Sequence, residues 1–448
     1  MTSKIAIYAP ENTAAPRLLY VLHWLFQEQL QLPYKVFYDG IEWLAAEGFK
    51  INYSGEKLSD DALQIIPQGL LSESGVKPQV LAVQRWKRHT VLFYNQPGAE
   101  LPFDLLAAVF YLLSRYEEYL PHRKDRHGRY CAEQSAAGQY RFLQEPVVDQ
   151  WLHHFRELLQ KKGLGLPKKE FQAEITYDID MAWQYRHRGA LRYWGGHFRD
   201  ALQRHWKGIR QRWRVVSGKM EDPYFSFPEL GLLHQKFDIH PVFFILLGQP
   251  GKYDRNIQPE HAAMRQLMTN LSKNYDIGIH PSYGSHESPE RLHQEIALLA
   301  DTVQRPVTKS RQHFIKFSLP ETYRRLIEQG ITDDYSMGYA THNGFRAGTS
   351  QSFYWYDLNQ EQTTSLTVHP FAFMDATSKF YWKKSPEETF REWQKLFLKV
   401  QAVEGTFISI WHNFILSRGS DWLAMYAKVP EMLRPYSVIF NRGNKQHE

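Results

Sequence analysis

Apolar and polar positions alternate over short runs along the chain, and the longer stretches between these runs carry helical spacing. In the first part strands are predicted at residues 4–8, 34–38, 49–53 and 90–94, where β-branched and aromatic residues recur between turn formers. Asn12-Thr13 offers a cap for a helix predicted over 16–29. Leu105, Leu106, Val109, Leu112 and Leu113 share one side of a helix predicted over 103–119, and a further helix is expected over 147–160. The stretch Lys161-Lys162-Gly163-Leu164-Gly165-Leu166-Pro167-Lys168-Lys169 has the composition of a linker. After it, strands are predicted at 171–177, 242–247, 275–279, 365–368 and 407–411. Helices are predicted between and after them, at 228–236, 260–273, 289–303, 319–329 and 386–403. Sustained β–α alternation implies a parallel sheet closed into a barrel-like α/β domain. The expected organisation is an accessory α/β domain over residues 1–165 and a (β/α) barrel over 170–448.

Composition narrows the chemistry. The 448 residues, 43% hydrophobic and 23% charged, exclude a disordered or fibrous chain. A single cysteine, Cys131, excludes an internal disulfide framework, a cysteine-rich zinc module and an iron–sulfur cluster held by this chain alone. Any metal must therefore sit on His, Asp and Glu, and there are 20 histidines to choose from. Aromatic residues reach 15%, which suits sugar stacking and suits a large aromatic core equally well. The first residues read as a strand rather than a leader, and no run reaches the ~18–20 apolar residues of a spanning helix. A soluble, cytoplasmic protein is expected.

Charge is unevenly spread. The net charge is +6, yet residues 186–219 hold ten basic side chains against one acid, Asp200, leaving a mildly acidic remainder. Trp194, Trp206 and Trp213 lie in the same segment, and Leu202, Trp206, Ile209 and Trp213 fall at helical spacing. A basic amphipathic helix of this kind suits an anionic membrane surface, an acidic glycan or nucleic acid. The plain alternative is a solvated helix whose Trp stripe packs on the body. Nothing resembles a known nucleic-acid motif, so nucleic acid is the least favoured partner.

Chemistry concentrates at the predicted strand ends, where barrel enzymes place it. Asp178 and Asp180 follow the strand at 171–177 and, two residues apart on extended chain, point the same way about 6–7 Å from each other. One could ligate a metal while the other serves as a base; a turn or cap pair is the commoner fate of such a motif. His280 lies just past the next short strand, with His286 six residues on in a Gly/Ser/Pro loop. Arg311-Gln312-His313-Phe314 adds a cation and a further imidazole, and the apolar strand at 407–411 ends in His412. Their convergence carries more weight than any single motif.

These motifs, in this order, resemble the polysaccharide deacetylases (chitooligosaccharide and peptidoglycan deacetylase-like). Thr176-Tyr177-Asp178-Ile179-Asp180 is similar to the first motif of that family and His280-Pro281-Ser282 to its His-Ser/Thr motif. Arg311-Gln312-His313-Phe314 stands where an Arg-x-Pro-Tyr motif is expected, and Ile410-Trp411-His412-Asn413 resembles the closing motif. Asp334-Tyr335-Ser336-Met337-Gly338-Tyr339 and Gly344-Phe345-Arg346-Ala347-Gly348-Thr349 further suggest a bacterial subgroup with an extra N-terminal domain. The resemblance covers roughly residues 171–413.

The resemblance implies a distorted, incomplete (β/α) barrel and a metal-dependent hydrolase of non-peptide carbon–nitrogen bonds. Its reaction would remove N-acetyl or similar groups from an amino sugar or glycan in cell-surface polysaccharide metabolism. By position, Asp178 is the implied base, Asp180 and His280 are metal ligands, His412 is the acid and Arg311 orients the base. A divalent ion is implied, zinc ahead of cobalt, manganese, nickel or iron. The two His of the second motif are six rather than four residues apart, so the third ligand is His286, His313 or a water, in that order. Asp-Ile-Asp in place of adjacent aspartates leaves the base and ligand roles open to exchange.

His313, Arg346 and Trp411 are candidate substrate contacts, and Asp333-Asp334 a candidate orienter of His412. His369, a rival acid, reads better as structural. Two other classes stay in view. One is a catalytically impaired deacetylase-like protein that binds a glycan or a partner. The other is a glycoside hydrolase with paired carboxylates, disfavoured because Asp178 and Asp180 share one strand end.

Overall fold

The structure, a computed structural model, describes residues 4–11 and 15–436, with the side chains of Leu191 and Arg192 excepted. It is a mixed α/β protein with several sheets. Four short parallel strands, β1 (Ile5–Tyr8), β2 (Tyr34–Phe37), β3 (Phe49–Asn52) and β4 (Leu63–Gln64), form a first sheet in the order β2-β1-β3-β4. An antiparallel pair follows, β5 (Gln84–Trp86) with β6 (His89–Val91).

The second sheet has nine strands: β7 (Gln172–Ile179), β8 (Val242–Leu246), β9 (Asp276–His280), β10 (Lys309–Ser310), β11 (Asp333–Asp334), β12 (Phe353–Asp357), β13 (Gln362–Val368), β14 (Phe373–Met374) and β15 (Thr406–His412). Its order is β12-β13-β11-β10-β9-β8-β7-β15-β14. Neighbours are parallel except for β12 against β13, a hairpin that the sequence pattern does not reveal. Val242-Phe243-Phe244-Ile245-Leu246 is buried along its whole length, as a parallel strand covered on both faces must be.

Helix starts and ends follow local logic. The helix Pro386–Gln401 starts on a reciprocal cap between Ser385 and Glu388 and buries Trp393, Leu396, Phe397 and Val400. The predicted helix over 103–119 is shorter, Leu105–Leu113, because Arg115 takes a left-handed conformation and starts a separate turn. The helix predicted from residue 16 is present from Pro16; the Asn12-Thr13 cap expected for it lies outside the described residues.

One buried apolar cluster runs through both parts of the chain. Polar groups stitch the same boundary. The Asp149 carboxylate accepts from the Thr349 hydroxyl (2.6 Å) and from the Ser350 N–H and hydroxyl (2.7 Å each). Trp24 and Tyr20 donate to the carbonyls of Ser352 and Tyr354. Arg346, expected as a substrate contact, is instead fully buried in an ion pair with Glu118, its guanidinium 4.1 Å above the Phe317 ring. Glu118 also pairs with Arg115, whose positive charge with that of Arg346 outweighs burial and holds the carboxyl at about 2. Removing one member of such a buried group typically costs about 3–5 kcal/mol.

Candidate functional site

Strand register explains why the chemistry meets in one place. Side chains two residues apart share a sheet face. Asp178 on β7 is level with His412 on β15 and with Phe244 on β8, which is in turn level with Gly278 on β9. Asp180 and His280 are each two residues further along, on the same faces as Asp178 and Gly278. Ser310 on β10 is level with Ile279, so Arg311 emerges beside His280. All these strands are parallel, and the group therefore gathers at the carboxyl edge of the sheet.

Arg311 is fully buried and spreads its donors: Nη1 to Asp178 Oδ1 (2.9 Å) and to Thr176 Oγ1 (2.7 Å), Nε to the Tyr335 carbonyl (3.0 Å). Thr176 donates its own hydroxyl to the Ser409 carbonyl, which aims its lone pairs at the arginine. The guanidinium lies 4.4 Å over Phe244. With Oδ1 of Asp178 so engaged, its Oδ2 turns toward the imidazoles, 3.8 Å from His280 Nε2 and 4.0 Å from His412 Nε2.

Two imidazoles and a carboxylate form the group able to hold a metal ion. Ligand atoms of Asp180, His280 and His313 all lie within 4.8 Å of one another. Asp180 Oδ1 is 3.2 Å from His280 Nε2 and 3.8 Å from His313 Nε2, yet it has no aligned hydrogen-bond partner although buried. Both histidines are oriented from behind. His280 Nδ1 donates to the Arg311 carbonyl at 2.6 Å, and His313 Nδ1 to Asp254 Oδ1 at 2.9 Å. Donation at Nδ1 leaves an Nε2 lone pair facing Asp180 in each ring, the arrangement that metal-ligating histidines adopt. An orphaned carboxylate oxygen between two such lone pairs fits a divalent cation, and an Asp/His donor set suits zinc and its first-row neighbours. Burial works against the Asp180 carboxylate, but His313, His280 and His412 outweigh it and hold the carboxyl far below the usual range. Burial likewise opposes charge on His280, and Asp178 and Asp180 outweigh it and raise its pKa.

His412 completes the group. Its Nδ1 donates to Asp375 Oδ1 at 2.6 Å, and its backbone N–H donates to Asp375 Oδ2 at 3.0 Å. Its Nε2 stands 3.7 Å from Asp180 Oδ2. Burial disfavours charge on the ring, but Asp375, then Asp180 and Asp178, push its pKa up to about 9.

Several expectations are corrected here. His286, ranked first as third ligand, lies outside the group. It lines a separate cleft with Lys124, His127, Lys316 and Arg325, and burial with the charges of Lys316 and Arg325 lowers its pKa to about 4. The turn through Ser282 and Ser285 carries it away, while His313 comes in from another loop. Trp411 is fully buried, its ring against Tyr426 and Phe373, because it occupies the strand face opposite to His412. Asp375, not Asp333-Asp334, orients His412. Asp333 instead accepts from His369 Nε2 at 2.8 Å, and Asp334 accepts from Ser310 and Ser336. Asp254 sits in a loop and Asp375 opens the helical turn after β14, and neither belongs to a motif that would single it out.

The fold and this group define an α/β protein with a buried carboxylate–imidazole constellation suited to a divalent metal and to proton transfer. A family of unknown function (DUF7033) matches residues 5–164. No curated protein matches the chain. Solved structures with partial likeness include chains described as polysaccharide deacetylases. One from Mycobacterium smegmatis is 12% identical over 60% of this chain and 85% of that chain, with a TM-score of 0.40. One from Pseudomonas aeruginosa PAO1 is 9% identical over 60% and 86%, also at 0.40. A third, from Bacillus cereus, is 10% identical over 59% and 88%, at 0.30.

Proposed function

We propose that the protein is a metal-dependent hydrolase that removes N-acetyl or similar acyl groups from an amino sugar or glycan. In this reading the second part of the chain is a distorted (β/α) barrel of polysaccharide-deacetylase type, and the first part is an accessory unit. The observation that carries the proposal is the orphaned Asp180 oxygen between two imidazole lone pairs, with a carboxylate on one flank and an imidazole held by Asp375 on the other.

Asp180, His280 and His313 would hold the ion, zinc ahead of its first-row neighbours. Bound there, a divalent cation supplies Lewis acidity toward an amide carbonyl. Arg311 engages one oxygen of Asp178 and leaves Oδ2 free, so Asp178 takes the proton of the attacking water. His412, charged at neutral pH by virtue of Asp375, gives its Nε2 proton to the amine nitrogen as the carbon–nitrogen bond breaks. Water and amide are consumed, and a carboxylic acid and a free amine are formed. Asp178 and Asp180 both face His280 from one side of the site, which supports this reading over a glycosidase that needs carboxylates on opposite sides of a bond.

The test is elemental analysis of purified protein with acetate release from N-acetylated amino sugars as the second readout. About one equivalent of a divalent transition metal, lost together with activity in His280→Ala, is the expected result. Protein that takes up no zinc, cobalt or manganese after reconstitution overturns the hydrolase reading and leaves a binding protein.

A further inference from the structure

The basic segment forms two helices, Ala190–Leu202 and Trp206–Val216, that pack on each other as a hairpin. The break between them falls at Arg204, which is left-handed, so the expected single stripe from Leu202 to Trp213 is divided over two elements. The pair is held by a buried ion pair, Arg212 Nη2 to Asp200 Oδ2 at 2.6 Å, and by close approach at Gly196, where a Cβ would meet the Arg212 guanidinium at 2.8 Å. Its base is pinned by Asp222, which accepts the N–H groups of Gln184, Tyr185 and Arg186. The hairpin thus follows the carboxyl end of β7, its first helix starting ten residues after Asp180.

Its outer surface is unusual for a soluble protein. Trp194, Phe198 and Leu202 are 68%, 70% and 71% exposed and fall at successive i, i+4 positions of the first helix. On the second, Trp206 is 67% exposed and Trp213 and Val216 about half exposed. At about 100° per residue, Trp206, Ile209, Trp213 and Val216 form one stripe. Lys207, Arg210 and Arg214 form the adjoining face, and the buried Gly208, Arg212 and Val215 point the other way, toward the first helix. Lys207, Arg210 and Arg214 have no acidic partner among the described residues. The Trp stripe therefore does not pack on the body.

We propose that this hairpin docks the protein on an anionic lipid bilayer through its exposed aromatic side chains. Three ligand chemistries satisfy parts of the surface, and one satisfies all of it. An acidic glycan or nucleic acid matches the charges and can stack on single rings, but it offers no apolar medium for the exposed Leu202 and Val216 beside them. An apolar protein groove takes the stripe and strands the adjoining cations. An anionic bilayer receives the aromatic rings at the headgroup–acyl boundary and the cations at its phosphates. No helix among the described residues is long and apolar enough to cross a membrane, so the contact is peripheral. The proposal stands apart from the hydrolase reading.

The experiment is co-sedimentation of the full-length protein with vesicles of phosphatidylcholine alone or with about one-third phosphatidylglycerol. Apparent affinity should rise at least tenfold on the anionic vesicles and fall several-fold between about 50 and 500 mM salt as screening sets in. Each basic residue near such a surface is worth about fivefold, so Lys207→Glu/Arg210→Glu/Arg214→Glu should weaken binding a hundredfold or more. Trp194→Ser/Phe198→Ser/Trp206→Ser should lose binding at low salt with an unchanged melting transition, and quenching of wild-type Trp fluorescence by brominated lipid should vanish in it. Absence of binding to both vesicles overturns the proposal, as does equal binding by all three proteins. Binding of dextran sulfate or a DNA oligonucleotide in preference to the anionic vesicles would assign the surface to an acidic polymer instead.

Discussion

Asp375→Asn removes one carboxylate charge with little change of shape: Asn Oδ1 can still accept the His412 Nδ1 proton, while the His412 backbone N–H loses its acceptor. In the wild type the carboxylate oxygen is 2.6 Å from His412 Nδ1, and the ring pKa stands at about 9. Unit charges with centres about 4 Å apart interact by about 4 kcal/mol at an effective dielectric near 20, which corresponds to about three pH units. Asp180 and Asp178 remain at 3.7 and 4.0 Å from Nε2, so part of the elevation survives. The His412 midpoint should therefore fall by about two to three pH units, to between about 6 and 7. The assay is a titration of the labelled imidazole by NMR in chelated protein, with His412→Gln identifying the resonance. If His412 is the proton donor, the alkaline limb of kcat/KM should move down with it, because less of the charged ring is present at any pH above its midpoint. The stability signature follows from linkage. A folded pKa above the unfolded value near 6.5 adds stability below that pH, and it is lost as pH rises through about 9; the variant should lack this dependence. A resonance whose midpoint stays near 9 in Asp375→Asn would refute the assignment of the elevation to Asp375.

His313→Ala should abolish metal uptake as His280→Ala does, whereas His286→Ala should retain it; elemental analysis after reconstitution separates the two. The reverse result would return His286 to the ligand set. Gly278→Ala places a Cβ 2.6 Å from the Phe244 ring and 2.8 Å from the Lys309 carbonyl, in the middle of the parallel sheet. It should cost about 1–3 kcal/mol in denaturant unfolding and disturb the ring beneath Arg311; an unchanged midpoint counts against the packing argument. His234, buried between the hydroxyls of Tyr177 and Tyr275, has its pKa lowered to about 3, by burial first and by His240 next. A depressed pKa contributes stability that is present above about 6.5 and is lost as pH falls toward about 3, on the order of 5 kcal/mol in full. Urea unfolding of His234→Gln between pH 7 and 4 should therefore show a shallower acid loss than the wild type, and equal slopes would remove His234 from the account.

Which parts of the site are legible in the residues follows from how far each depends on local periodicity. Asp178, Asp180, His280 and His412 lie at or just past the ends of apolar strands, and the two-residue period of extended chain puts Asp178 and Asp180 on one face without further information. The same period, applied strictly, places Trp411 on the face opposite to His412, in the core, where the structure has it. Separation along the chain misleads for His286. Six residues of loop allow either direction, and the Ser282–Ser285 turn decides against the site. Just past His313, Phe314 and Ile315 both adopt left-handed backbone, at φ 60° and 51°, which costs about 1–3 kcal/mol each and which no local preference of Phe or Ile supplies. That strain is braced from the first part of the chain, by Arg129 donating to the Phe314 carbonyl at 2.7 Å. The third imidazole is thus set by tertiary contacts between distant segments. The same holds for Asp254 and Asp375, whose roles rest on where a loop and the helical turn after β14 are placed rather than on any spacing. A consequence is that the first part of the chain bears on the chemistry of the second: Arg129→Ala should release the His313 turn and weaken metal uptake without touching a ligand.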